Sequence, residues 1–201
     1  MAKLIIGLSG EMGAGKGTVA KYLSERYQGK SHRFSTMLRD ILDRLYLPQS
    51  RDNMQVLSTE LREIFGEELF AIVMSEDVRN DTGELVIIDG IRRVADIKYL
   101  REFPHFKLFY LETDIEKRYE RIHNRNENPD DMNLTFEQFK KDQEDESEMQ
   151  IKELKGVTDF LVDNNGSFDE LYKQVDQMVK ELDLDIVHWD TGTGFHIKKD
   201  D

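Results

Sequence analysis

The chain has 201 residues, with 41 acidic side chains against 28 lysines and arginines, a formal net charge of −13 and no cysteine. That length fits one domain, at a prior of about 150 residues each, and is enough to bury a sizeable core. The acidity excludes broad binding to nucleic-acid polymers, and the lack of cysteine excludes disulfides, thiol catalysis and cysteine-ligated zinc.

Residues 3–8 (Lys3-Leu4-Ile5-Ile6-Gly7-Leu8) read as a buried strand, reached too early for a signal peptide, so the expected location is cytoplasmic. The strand runs into Gly10-Glu11-Met12-Gly13-Ala14-Gly15-Lys16-Gly17-Thr18. This is the G-x-x-x-x-G-K pattern with the threonine one place later than usual. Such a loop cradles phosphates, because its backbone N–H groups and the following helix N-terminus are electropositive. Glycines at 10, 13 and 15 permit the turn and the close approach. Lys16 is placed to reach the β- and γ-phosphates of a nucleotide, and the Thr18 hydroxyl to bind Mg²⁺.

A helix follows over about 16–27, with Val19, Ala20, Tyr22 and Leu23 on its apolar side. His32-Arg33-Phe34 reads as a short strand before a helix that starts near Ser35 and closes before Pro48. Helical stretches near 52–65 and 67–79 show apolar spacing at Met54, Leu57 and Leu61, and at Leu69, Ile72 and Val73. After the turn at 81–84 comes the apolar strand 85–88, far too short to span a bilayer, which ends in Asp89-Gly90.

The pattern then predicts a helix over 94–102, a strand over 106–111 and a helix over 114–125 opened by a Thr113–Glu116 capping box. Residues 124–133 are polar and loop-like. Thr135 and Gln138 cap a further helix, 160–162 is a last strand, and Ser167 with Glu170 opens a helix to about 183. Strands alternating with helices imply an α/β fold, a five-stranded parallel sheet with helices on both faces. Ligands of such sheets sit beyond the carboxyl ends of the strands. Gly10–Gly15, Ser35-Thr36, Asp89-Gly90, Glu112-Thr113 and Asp163-Asn164 all fall there.

Three clusters refine the chemistry. Arg39, one turn beyond Ser35-Thr36, suits a bidentate grip on a second phosphate. Asp89 can hold Mg²⁺ through water, with Arg92 and Arg93 close behind, or it can simply cap the helix that follows. Arg118, Arg121 and Arg125 share helical spacing and read either as a solvated face paired with Glu116 and Glu120 or as clamps on a transferring phosphoryl group.

On these residues the chain resembles adenylate kinase and its nucleoside monophosphate kinase relatives over roughly residues 3–180. The loop resembles G-x-x-G-x-G-K-G-T, and Ser35-Thr36-Met37-Leu38-Arg39 resembles S-T-G-D-x-L-R with two residues missing. Asp89-Gly90-Ile91-Arg92-Arg93 is similar to D-G-F-P-R, and Arg121-Ile122-His123-Asn124-Arg125 to the R-I-x-x-R that opens the lid.

The resemblance implies a three-layer P-loop NTPase fold over 1–186, with an acceptor-binding insertion at about 35–80 and a lid at about 125–140, then a tail at 187–201. It implies transfer of the ATP γ-phosphate, with Mg²⁺, to a small phosphorylated acceptor such as a nucleoside monophosphate, by a monomer or dimer. Lys16, Arg121, Arg125 and Asp89 would be catalytic, and Thr18 with Asp89 would organise Mg²⁺. Gly10, Gly13, Ala14, Gly15, Lys16, Gly17, Thr18 and Asn165 would bind ATP, with Asn164 and Gly166 near its base. Ser35, Thr36, Arg39, Arg92 and Arg93 would bind the acceptor.

Arg92 stands where the family has proline, and the later lid arginines are not evident, with Lys140 and Lys141 as substitutes. His123 is expected to be structural, because aligning two phosphates needs no base. Two alternatives stay open: a dephospho-coenzyme A kinase, whose usual carboxylate pair after the second strand is missing here, and an ATP-binding switch with slow hydrolysis.

Overall fold

Alternation of side chains along β1 (Leu4–Ser9) divides the interior in two. Leu4, Ile6 and Leu8 enter one apolar cluster, while Ile5 enters another on the opposite face of the sheet. The structure is a computed structural model describing residues 4–125, 134–143 and 146–182, with backbone alone at 51, 125 and 146–148.

Four strands join β1 in one sheet: β2 (Lys30–Arg33), β3 (Leu85–Ile91), β4 (Phe106–Glu112) and β5 (Phe160–Asp163). The order is β2-β3-β1-β4-β5, and every pairing is parallel. β3 and β4 alternate as β1 does: Leu85, Ile87, Phe109 and Leu111 face the first cluster, and Val86, Ile88, Leu108 and Tyr110 the second. Burying each such side chain contributes about 1.5–3 kcal/mol.

The first cluster is covered by α1 (Lys16–Tyr27), through Val19, Ala20 and Leu23, and by α8 (Phe168–Glu181), through Leu171, Val175 and Val179. The second is covered by α4 (Leu69–Asn80) and by Phe34 at the head of α2 (Phe34–Arg44). α3 (Arg51–Phe65), α5 (Ile115–Arg125), α6 (Phe136–Asp142) and α7 (Glu146–Leu154) complete the helices of the described residues. None of the described helices is long and apolar enough to cross a membrane.

The sheet with helices on both faces is the expected one, and most departures are local. Phe34 opens α2 rather than ending β2, because its ring turns into the second cluster. The helix expected over 94–102 is two short 3₁₀ turns, Val94–Ile97 and Leu100–Glu102. α4 buries Phe70, Met74 and Val78, whereas Ile72 and Val73 are exposed. The capping boxes at Thr135 and Ser167 differ in outcome: Thr135 accepts from Gln138 N, and Ser167 forms the full reciprocal pair with Glu170. The Thr113–Glu116 box is not formed. The Asp114 carbonyl takes the first helical bond of α5, from Arg118 N, which moves the cap one residue on. α7 lies in a stretch for which the sequence pattern predicts no element, and it buries Ile151 and Leu154. Residues 126–133 of the expected lid and the tail from 187 lie outside the described residues.

Candidate active site

The central strand delivers the glycine loop to the carboxyl rim of the sheet, and α1 begins at Lys16. Gly13 and Gly15 have φ of 80° and 98°, values that an L side chain rarely adopts. Space is as decisive as angle. A Cβ on Gly13 would stand 2.6 Å from the Arg118 carbonyl oxygen, and one on Gly15 would run into Asn164 Nδ2. Gly17 meets nothing within 4 Å, so its face of the loop is open. Lys16 Nζ folds back onto the loop, donating to the carbonyls of Gly10 at 2.5 Å and Glu11 at 3.0 Å.

Neighbouring strand ends brace the loop from behind. Ala14 is buried, and its carbonyl accepts from Asn164 Nδ2 at 2.8 Å and from the Thr113 hydroxyl at 3.2 Å. Asn164 therefore serves the loop from beneath, its side chain committed to Ala14. Asn165 frames the same rim, accepting from Asp114 N and donating to Asp163. Arg121 donates to the Asn164 carbonyl at 2.9 Å and lies with Nη1 3.8 Å from a Cβ built on Gly15, so it is at the loop. Burial pulls its pKa below the ordinary guanidinium value. The side chain of Arg125 is outside the described residues.

Arg118 departs from the reading as a solvated face or a phosphoryl clamp. It is 4% exposed and packed under the loop rather than over it. His123 is exposed and stacks near Tyr119, with ring centroids 6.0 Å apart.

Beside the loop, at the same rim, stand the head of α2 and the end of β3. Asp89 pairs in register with Arg33, and its Oδ2 lies 3.5 Å from Arg33 Nε. Its Oδ1 is buried without a hydrogen-bond partner, as are Ser35 Oγ and Arg39 Nε. Three orphaned polar atoms on residues marked out for a ligand are costly unless one satisfies them. An acceptor oxygen on Asp89, a donor on Arg39 and a hydroxyl on Ser35 suit an anion beside a hydrated cation. Arg39 Nη1 donates to Gln49 at 2.7 Å, Thr36 is exposed, and Ser50 caps α3 by accepting from Asn53 N.

Residues 6–153, from β1 through most of α7, match the model of the AAA_18 family, described as an AAA domain. The chain belongs to the AAA_18 family. Among relatives of this AAA domain is UPF0200 protein MMP1282 of Methanococcus maripaludis, 26% identical over 188 residues that cover 89% of this chain and 97% of that protein. A UPF0200 protein of Methanoregula boonei is 27% identical over 180 residues, with the same coverage. The fold is also that of a shikimate kinase from Bacteroides thetaiotaomicron (TM-score 0.59, 15% identity, covering 90% of this chain and 99% of that one). A gluconokinase from Sinorhizobium meliloti matches at TM-score 0.54 and 13% identity, covering 90% and 95%. The fold is thus the P-loop NTPase fold that these kinases share.

One part of this AAA domain's rim carries no sequence motif. Asp96, 2% exposed, accepts through Oδ2 from the backbone N–H groups of both Arg92 and Arg93 at 3.0 Å. Its Oδ1 faces Arg62 Nη2 of α3 at 3.5 Å. Arg62 also donates to the Glu67 carbonyl at 2.9 Å, and the Glu67 carboxylate accepts from Arg93 at 2.8 Å. Asp96, Arg62, Glu67 and Arg93 close a ring that ties the α3–α4 segment to the turn bearing Arg92 and Arg93. Burial pulls the Arg62 pKa down, and Asp96 partly offsets it. The sequence offers Arg62 as a source of acceptor contacts from the helical insertion and gives Asp96 no role; the structure commits Arg62 to Asp96 and the Glu67 carbonyl instead. The pairing itself needs the fold.

Proposed function

We propose that this protein transfers the γ-phosphate of ATP to a small phosphorylated acceptor, with a nucleoside monophosphate as the favoured class. The observation that supports it is a shared rim: a glycine loop bearing Lys16 after β1, and the partnerless atoms of Ser35, Arg39 and Asp89 at the ends of the neighbouring strands β2 and β3. In this reading Gly10, Gly13, Ala14, Gly15 and Gly17 line the triphosphate cradle, and Lys16 leaves the loop carbonyls for the transferring phosphoryl. Arg121 moves from Asn164 to the same charge, joined by Arg125. Arg39, Arg92 and Arg93 with Ser35 and Thr36 hold the acceptor's phosphate, and Asn165 frames the nucleotide end.

Aligning two phosphates and neutralising their charge is most of the catalytic task, so no side chain need act as a base. Thr18 and, through water, Asp89 would hold Mg²⁺, which supplies charge neutralisation on the phosphate oxygens. A hydroxyl and one carboxylate suit a cation that keeps several waters.

A second reading, a hydroxyl acceptor as in dephospho-coenzyme A kinase, draws on Asp89 too, since a buried, partnerless carboxylate oxygen at this rim could take the hydroxyl proton. The half-buried charges of Arg39 and Arg93 at the same rim favour the phosphate. The test is a coupled ADP-release assay against a panel of nucleoside monophosphates and dephospho-coenzyme A. Turnover with a monophosphate, nearly abolished in Lys16→Ala, supports the first reading. Turnover with the coenzyme precursor alone supports the second, and acceptor-independent hydrolysis throughout would leave only the slow switch.

A further inference from the structure

We infer that Arg118 is a positioning residue of the phosphate cradle, joining α6 to the loop and neutralising Glu11 without itself meeting a phosphate. The inference deepens the kinase reading and rests on it for the meaning of nucleotide affinity.

The Arg118 guanidinium is buried and nearly saturated, with four acceptors from three different segments. Nε donates to the Thr113 carbonyl at 3.0 Å at the end of β4. Nη1 donates to Gln143 Oε1 at 2.6 Å, just after α6, and to the Met12 carbonyl at 3.3 Å in the loop. Nη2 donates to Glu11 Oε1 at 3.2 Å. Its plane lies over the Phe139 ring of α6, 5.6 Å from the centroid. Gln143 is itself bound into α6, donating to the Phe139 carbonyl at 3.1 Å. Four directed bonds from a planar fork fix the loop's outer half in a way that a flexible ammonium could not.

Main chain adds to side chain at this turn. The Arg118 carbonyl sits where a Gly13 side chain would be, so the same residue supports the loop twice. Its charge also has a task. Glu11 places a carboxylate beside a cradle built for a polyanion, which by itself repels the ligand. Arg118 at 3.2 Å and Lys152 at 3.9 Å neutralise it. Hydrogen bonds to charged groups are roughly twice as strong as neutral ones, so losing this set has a clear expected size.

Two measurements test this on the full chain. The first is calorimetric binding of MgADP to wild type, Arg118→Met, Arg118→Lys and the double variant Arg118→Met/Glu11→Gln, with Val179→Ala as a core control at the opposite end of α8. The second is amide exchange at Ala14, whose N–H donates to the Glu11 carbonyl at 3.1 Å within the loop. Arg118→Met should weaken MgADP about tenfold, Lys should restore a part, and removing the Glu11 charge should restore another part. Ala14 should exchange faster while β1 amides stay as in wild type. Equal losses of affinity in Arg118→Met and Val179→Ala, or no rescue by either second change, would overturn the inference. If Arg118→Met does not fold, Gln143→Leu breaks only the α6 link, and unchanged Ala14 exchange there refutes the coupling. Wild type that ignores MgADP overturns the kinase reading instead, and Ala14 exchange then decides for Arg118 alone.

Discussion

The Arg93 guanidinium donates to the Glu67 carboxylate at 2.8 Å, across the junction of α3 and α4. An internal anion therefore occupies a cation that the proposed function reserves for the acceptor's phosphate. Glu67 is 65% exposed along its side chain, so the pair is worth no more than about 1 kcal/mol. Glu67→Gln should lower the KM for the acceptor by up to about fivefold, leaving the KM for ATP unchanged. Steady-state kinetics with each substrate varied in turn decides it, and a raised acceptor KM would count against Arg93 as its ligand.

Asp96 and Arg62 form a pair of a different kind, because both are buried, at 2% and 8% exposure. Removing one partner strands the other charge, at about 3–5 kcal/mol. Asp96→Ala and Arg62→Met should each be that destabilising in urea. The double variant should lose clearly less than the sum, since neither charge is then left alone. Strict additivity would show that the two do not interact.

Two glycines of the loop should part company. Gly13→Ala forces a side chain against the Arg118 carbonyl at φ 80° and should cost about 1–3 kcal/mol in thermal or urea unfolding. Gly17→Ala meets no atom within 4 Å and sits in the first turn of α1, so stability should hold or rise by up to about 1 kcal/mol. Its methyl group would instead stand in the open face of the cradle and weaken MgADP. A variant as firm as wild type with unaltered affinity would place the phosphates elsewhere.

Asp81, just past α4, is a source of acid sensitivity. Burial pushes its pKa up, but the Gly83 N–H at 2.7 Å, His32 at 2.7 Å and Lys30 at 3.4 Å together outweigh this and hold it at about 2, against an ordinary 3.8. A depressed carboxylate stabilises the fold fully above its unfolded pKa and loses that contribution as pH falls through the folded one. Roughly 2 kcal/mol should therefore vanish between about pH 4 and pH 2. Asp81→Asn should be less stable than wild type at pH 6 and equal to it near pH 2, followed by urea midpoints.

What was legible in the sequence was what local chemistry decides. The glycine spacing at 10, 13 and 15, the apolar strands and the Ser167–Glu170 cap depend on neighbours a few residues away, and all are present. α4 misled because Ile72 and Val73 are apolar yet face out, and periodicity alone cannot say which side of a helix meets a sheet. Arg118 misled for a related reason: helical spacing groups it with Arg121, but one turn of α5 separates a place under the loop from a place beside it. Asn164 and Asp96 act through partners 150 and 34 residues away, Ala14 and Arg62, and no window along the chain contains both ends.

The two outermost strands are only four residues each, and β2 presents Lys30, His32 and Arg33 along its length. A free strand edge is a template for pairing with another chain, and brevity with positive charge is how proteins deny it. A second molecule approaching flank to flank would find few open amides, and at β2 the long side chains of Lys30 and Arg33 as well. The central position of β1 thus keeps its loop two strands away from either place where aggregation would begin.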